Sequence, residues 1–167
     1  EESTTSFEEL MEGIFTANEQ QAIDSLLRAG FEYRNLAPLL ANISVETGGS
    51  FSEEQKQDGG PGRGMFQFEK GQLRDYNNFI SDGENTKDKQ AKFVHSNIYG
   101  EKGSRPHDLG WRARGMLSDS FKGQGSVQDK AQVFSEQYEK PSDPHLERRR
   151  EEADRYNRLL FLNKVGL

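Results

Sequence analysis

Apolar positions recur at helical spacing through most of the chain. Phe7, Leu10, Met11 and Ile14 fall three and four residues apart, the spacing of one helical face. Ser6 stands three residues before Glu9, the interval of a capping box that opens this short first helix. Ala22, Ile23, Leu26 and Leu27 mark a second helix, beginning after Thr16 and running to Ala29, with Gly30 as its stop. Asn35 is placed to cap a third, from Leu36 to about Glu46. Here Leu36, Ala37, Leu39, Leu40, Ala41, Ile43 and Val45 are apolar almost all round, the pattern of a helix buried through the middle of a domain.

Gly48, Gly49, Gly59, Gly60, Pro61, Gly62 and Gly64 then break the helical period. Within that stretch Met65-Phe66-Gln67-Phe68 alternates in the manner of a short strand, Phe66 and Phe68 on one side and Met65 and Gln67 on the other. The helical period returns through Leu73, Tyr76, Phe79 and Ile80, and after Ser81-Asp82-Gly83 through Gln90, Phe93, Val94 and Ile98. Residues 100–125 are rich in glycine and predict loops around one short helix. Ser126 opens a helix carrying Ala131, Phe134 and Tyr138, and Asp143-Pro144 reads as an N-cap with proline at the first position of a last helix reaching about Phe161. The expected organisation is a flexible lead-in at 1–5, one domain at 6–163 and a tail at 164–167. The expected fold class is α+β, predominantly helical, with a small glycine-rich β element after the third helix.

Composition narrows the function. The chain has 167 residues, 32% hydrophobic and 30% charged, with a net charge of −6. Eleven Phe and five Tyr compensate for the lean apolar content, because each ring removes a large apolar surface from water. The acidic balance speaks against a nucleic-acid binder that works through bulk charge. The lack of cysteine excludes a disulfide framework and cysteine-ligated zinc. No apolar run is long enough to span a membrane as a helix. The opening at Glu1, without an initiator methionine, is the pattern expected of a processed chain or an excised domain.

Glu46 is the residue that stands out. It ends the most apolar helix and is followed by Thr47-Gly48-Gly49. A carboxylate there faces the negative end of the helix dipole and an apolar surround, and both disfavour its charged form. A carboxyl that keeps its proton near neutrality is what a glycosidase needs as general acid. From position alone, an ordinary solvent-exposed glutamate in a last turn is the favoured reading.

The neighbours of Glu46 add a resemblance. Ala41-Asn42, Glu46-Thr47, and Gly62-Arg63-Gly64-Met65-Phe66-Gln67-Phe68 occur in that order. They are followed by Leu73-Arg74, Lys89-Gln90-Ala91-Lys92-Phe93-Val94, Tyr138-Glu139-Lys140-Pro141 and Arg148-Arg149. Over roughly residues 36–160 this series resembles the phage tail lysozyme family, within the lysozyme-like superfamily. The resemblance implies a lysozyme-like fold and a domain that cleaves peptidoglycan glycan strands. It also implies a place on the virion tail, in the company of other phage tail proteins, and Glu46 as the catalytic acid. Thr47 stands where the family usually has Ser, and Phe68 where it usually has Trp. Phe68 is therefore a candidate for substrate binding whose stacking role the substitution leaves open.

Further candidates surround Glu46. Asn42 lies one helical turn earlier on the same face and is placed either to bind Glu46 or a sugar, or to tie the helix to the glycine loop. Gln67 points into the cleft if Phe66 and Phe68 pack inward, and there it can read an acetamido group. Asp58, before the Gly59-Gly60 turn, is the second-carboxylate candidate, with an ordinary turn-forming Asp as the alternative. A hydrolase with two carboxyls, a lytic transglycosylase needing only Glu46, and a non-catalytic tail or wall-binding domain all remain compatible with the sequence. No cofactor or metal is expected: His95, His107 and His145 fall on different elements without ligand spacing. Arg149 interrupts the stripe of Leu146, Ala153, Tyr156 and Leu160, so it is expected to be buried and ion-paired. Trp111 is expected to cap the core, with a place in a saccharide groove as the alternative.

Overall fold

The computed structural model describes residues 14–165, so the helix expected over Phe7–Ile14 lies outside the described residues except for its last position. Helix α1, Ala17–Ala29, opens with a reciprocal capping box: Thr16 accepts from the Glu19 amide, and the Glu19 carboxylate accepts from the Thr16 amide. It ends at Gly30 in the left-handed conformation. A single 3₁₀ turn, Tyr33–Asn35, leads into α2, Leu36–Thr47. The remaining helices are α3, Lys70–Ile80, α4, Lys87–Tyr99, α5, Trp111–Lys122, α6, Val127–Phe134, and α7, Leu146–Val165.

Helix α2 runs through the interior, as its all-round apolar pattern requires; every residue from Leu36 to Ser44 is buried. Its most extensive packing is against α7, α6 lies against both, and α1 packs on α4. Aromatic rings join these layers around the glycine-rich segment. Phe68 meets Tyr76 at 4.9 Å and Phe93 at 5.1 Å between centroids, and Phe134 stacks on Tyr138 at 4.9 Å. Pairs of this geometry each contribute about 0.5–1.5 kcal/mol beyond the area they bury.

Four expectations are corrected. Among the described residues there is no strand, and the glycine-rich element holds only isolated bridges, Lys56 with Arg63 and Arg63 with Phe68. Residues 64–67 turn because Gly64 and Gln67 both adopt positive φ, 83° and 52°. Phe66 and Phe68 do pack inward, but Met65 is buried with them; a turn, unlike a strand, can send neighbouring side chains to one side. The last helix begins at Leu146 rather than after Asp143, because the Pro144 carbonyl accepts from the Arg149 guanidinium at 2.6 Å and His145 has a φ of 44°. Asn35 does not cap α2 with its side chain; its amide donates to the Phe121 carbonyl and accepts from Lys130, joining α5 to α6. Trp111 is 76% exposed at the first position of α5, with Arg112 beside its ring, and so caps no core.

Candidate active site

Two glycines fix where α2 stops. Gly48 and Gly49 have φ of 61° and 88°, and their amides return to the Ser44 and Val45 carbonyls. This is the left-handed termination that side-chain-bearing residues adopt only at a cost. Thr47 completes the exit, donating to the Ile43 carbonyl and accepting from the Phe51 amide. Glu46 thereby sits in the final turn, its side chain 14% exposed at the wall of a cleft of about 410 Å³.

The residue that holds Glu46 comes from α7. Arg149 is buried, 1% exposed, and every arm of its guanidinium is engaged. Nη2 donates to Glu46 Oε1, Nη1 to Asn42 Oδ1 and Nε to the Pro144 carbonyl, each at 2.6 Å. Asn42 is wholly buried and its amide nitrogen donates to the Pro38 and Ala131 carbonyls. It meets no open surface, so in this structure it reaches neither a sugar nor the glycine loop. Its contact with Glu46 runs through Arg149, and it locks α2, α6 and α7 around that guanidinium.

The glycine-rich segment forms another part of the cleft wall. Gln67 lines the same cleft as Glu46. Its amide nitrogen donates to the Gly64 and Gln55 carbonyls, which fixes the side chain against the turn. The turn is braced from behind by Gln90 on α4, which accepts from the Met65 amide and donates to the Glu53 carbonyl and to Asn85. Gly64 lies so close to that brace that a Cβ there would fall 2.7 Å from Gln90 Oε1.

Between α6 and α7 lies the feature that spacing did not reveal. Ser135–Glu139 continue α6 as a single π turn, closed by the Lys140 amide on the Ser135 carbonyl at 2.7 Å. The wider turn keeps Tyr138 in the core, where it accepts from Asn97, and brings Glu139 to the cleft beside Glu46. Turns of this kind are rare and recur at functional sites. Glu139 Oε1 is buried and meets no donor. Burial holds the Glu139 carboxyl well above the usual carboxylate range; the like charges of Glu46 and Glu69 push the same way, and only Arg149 opposes them.

Asp58 is exposed and does not line the cleft with Glu46. Phe68, 1% exposed within the aromatic cluster, offers no ring face to a saccharide. His107 pairs with Asp75 on α3 at 2.6 Å and His95 packs edge-on against Phe31, whereas His145 reaches the cleft rim beside Asp143. Among the described residues no group of three metal-ligating side chains converges, and no helix is long and apolar enough to cross a membrane.

A buried helix thus presents a glutamate to a polar cleft that residues of the glycine-rich turn also line. The model of the phage tail lysozyme family matches residues 17–160, and the chain belongs to that family. Membership brings with it a peptidoglycan-degrading, lysozyme-like activity and association with phage tails. No curated protein and no solved structure matches the chain.

Proposed function

We propose that this chain cleaves the glycan strands of peptidoglycan by hydrolysis, as a muramidase acting from the phage tail on the bacterial wall, with Glu46 as general acid. The observation that carries this reading is Glu46 itself, fixed by a buried guanidinium at the wall of a polar cleft. Glu46 delivers a proton to the glycosidic oxygen. The departing sugar leaves an oxocarbenium-like centre, which water then captures. Gln67, in the same cleft, accepts from the N–H of an acetamido group and holds the sugar ring in register with Glu46. Arg149 and Asn42 keep the carboxyl from rotating away, and such pre-positioning lowers the barrier in its own right.

Digestion of purified peptidoglycan followed by mass spectrometry tests the reaction type. Hydrolysis yields reducing-end muramic sugars. Products lighter by one water, carrying 1,6-anhydro ends, would replace hydrolysis with transglycosylation on the same site. Absence of cleavage at any pH would support a wall-binding domain instead.

A further inference from the structure

The cleft contains more carboxyl groups than one general acid needs, and their surroundings differ. Glu46 accepts a hydrogen bond from Arg149, whereas Glu139 Oε1 is buried without a donor. The groups around Glu139 are Glu46 on α2, Glu69 just before α3, Lys140, Asp143 and His145 on the segment after the π turn, and Arg149 on α7. Glu69 and Asp143 are exposed, so the enclosed carboxyls are Glu46 and Glu139, with the one buried guanidinium of Arg149 beside them. Like charges so placed resist simultaneous ionisation. The proton that stays behind belongs on the carboxyl with the poorest solvation and no donor, which is Glu139.

We propose that Glu139 is the second carboxyl of this site and that it stores the proton Glu46 spends. This rests on the reading of Glu46 as general acid. At rest the pair carries one proton, held on Glu139 while Glu46 is bound by Arg149. When glycan fills the cleft, the proton passes from Glu139 to Glu46 and from Glu46 to the glycosidic oxygen, whose bond to the anomeric carbon breaks. The water that adds to the anomeric carbon releases one proton, which returns to Glu139. The pair is thus restored and one water is consumed for each bond cleaved. Glu139 acts through Glu46 and is a positioning residue for the proton rather than a group that touches substrate. The same arrangement gives the π turn a purpose, since it is what turns Glu139 toward the cleft while Tyr138 stays in the core.

Paired titrations distinguish this from a structural role. The alkaline limb of kcat/KM in wild type reports loss of the last shared proton. In Glu139→Gln the neighbouring charge is gone, so that limb is expected to move to lower pH by about 1 unit or more. A merely structural Glu139 would scale the whole profile and leave the limb in place, which overturns the proposal. Glutamate carboxyl-labelled protein followed by NMR gives the reciprocal measurement and carries the test should Glu139→Gln prove unfolded or inactive. In wild type Glu139 is expected to titrate well above its ordinary value of 4.5, and in Glu46→Gln to titrate lower than in wild type. A Glu139 that titrates near its ordinary value, or one indifferent to Glu46→Gln, overturns the proposal. If instead Glu46→Gln retains full cleavage, it is the assignment of Glu46 that fails.

Discussion

Arg149 donates to Glu46 at 2.6 Å across 103 residues of sequence, and this one contact ties the interior helix α2 to the last helix α7. The guanidinium is also the partner of Asn42. Replacing it leaves a half-buried carboxylate and a buried amide oxygen unpaired. Arg149→Ala is therefore expected to lower unfolding free energy by about 3–5 kcal/mol, the usual cost of stranding a buried partner. Urea denaturation provides the measurement. A loss below about 1 kcal/mol, the range of exposed pairs, would show that the contact does not hold in solution.

The glycine turn is the second point of leverage. Gly64 has a φ of 83° and abuts Gln90 Oε1. Gly64→Ala is expected to destabilise by roughly 1–3 kcal/mol and to displace the Met65 amide from Gln90. Because Gln67 depends on the same turn, turnover should fall further than the fraction of folded protein. Thermal melts run beside activity assays would show the two losses, and an unchanged specific activity in the folded fraction would contradict the coupling.

Much of this was legible in the chain because local chemistry decided it. The start of α1 after Thr16, its stop at Gly30 and the buried α2 follow from residue types at fixed spacing. A lone arginine in the apolar stripe of α7 pointed to a buried ion pair, although not to Glu46 as its partner. The misread parts depend on long-range contacts. Phe66 and Phe68 imitate strand alternation, but their burial comes from an aromatic cluster assembled by α3, α4 and α6. Glu139 lies next to Tyr138 on what spacing reads as a plain helix, and only the π turn rotates it into the cleft. The one available signal was its place in the Tyr138-Glu139-Lys140-Pro141 block.

Glu139 also gives stability a dependence on pH of defined sign. Its folded value is raised by burial above the ordinary 4.5, so the native state keeps a proton that the unfolded chain releases. The native state is then progressively penalised as pH rises from about 4.5 toward the raised value. Glu139→Gln removes this penalty. The stability difference between variant and wild type is expected to move in favour of the variant as pH rises through that window. Parallel curves in denaturant titrations would contradict it. Asp88 works in the opposite sense: hydrogen bonds from Arg28 and Ser25 hold it below the usual range, so its contribution is present at neutrality and lost on acidification through that lowered value.

Asp58 is exposed on the glycine-rich turn and does not itself line the cleft, although Gln57 beside it does. Asp58→Asn is therefore expected to leave both melting temperature and the rate of peptidoglycan clearance at wild-type values. A large loss of clearance in a normally folded variant would mean that the glycine-rich turn closes over the cleft when glycan binds.

Glu46→Gln is the most direct measurement of all. Glutamine keeps the shape and can still meet Arg149 through its amide oxygen, but it has no proton to deliver. Fold and saccharide binding are expected to survive, while clearance of a peptidoglycan suspension falls by about 10²–10⁴-fold, the contribution of general acid catalysis. A Glu46→Gln protein that is folded and clears peptidoglycan at the wild-type rate would contradict the assignment of the site.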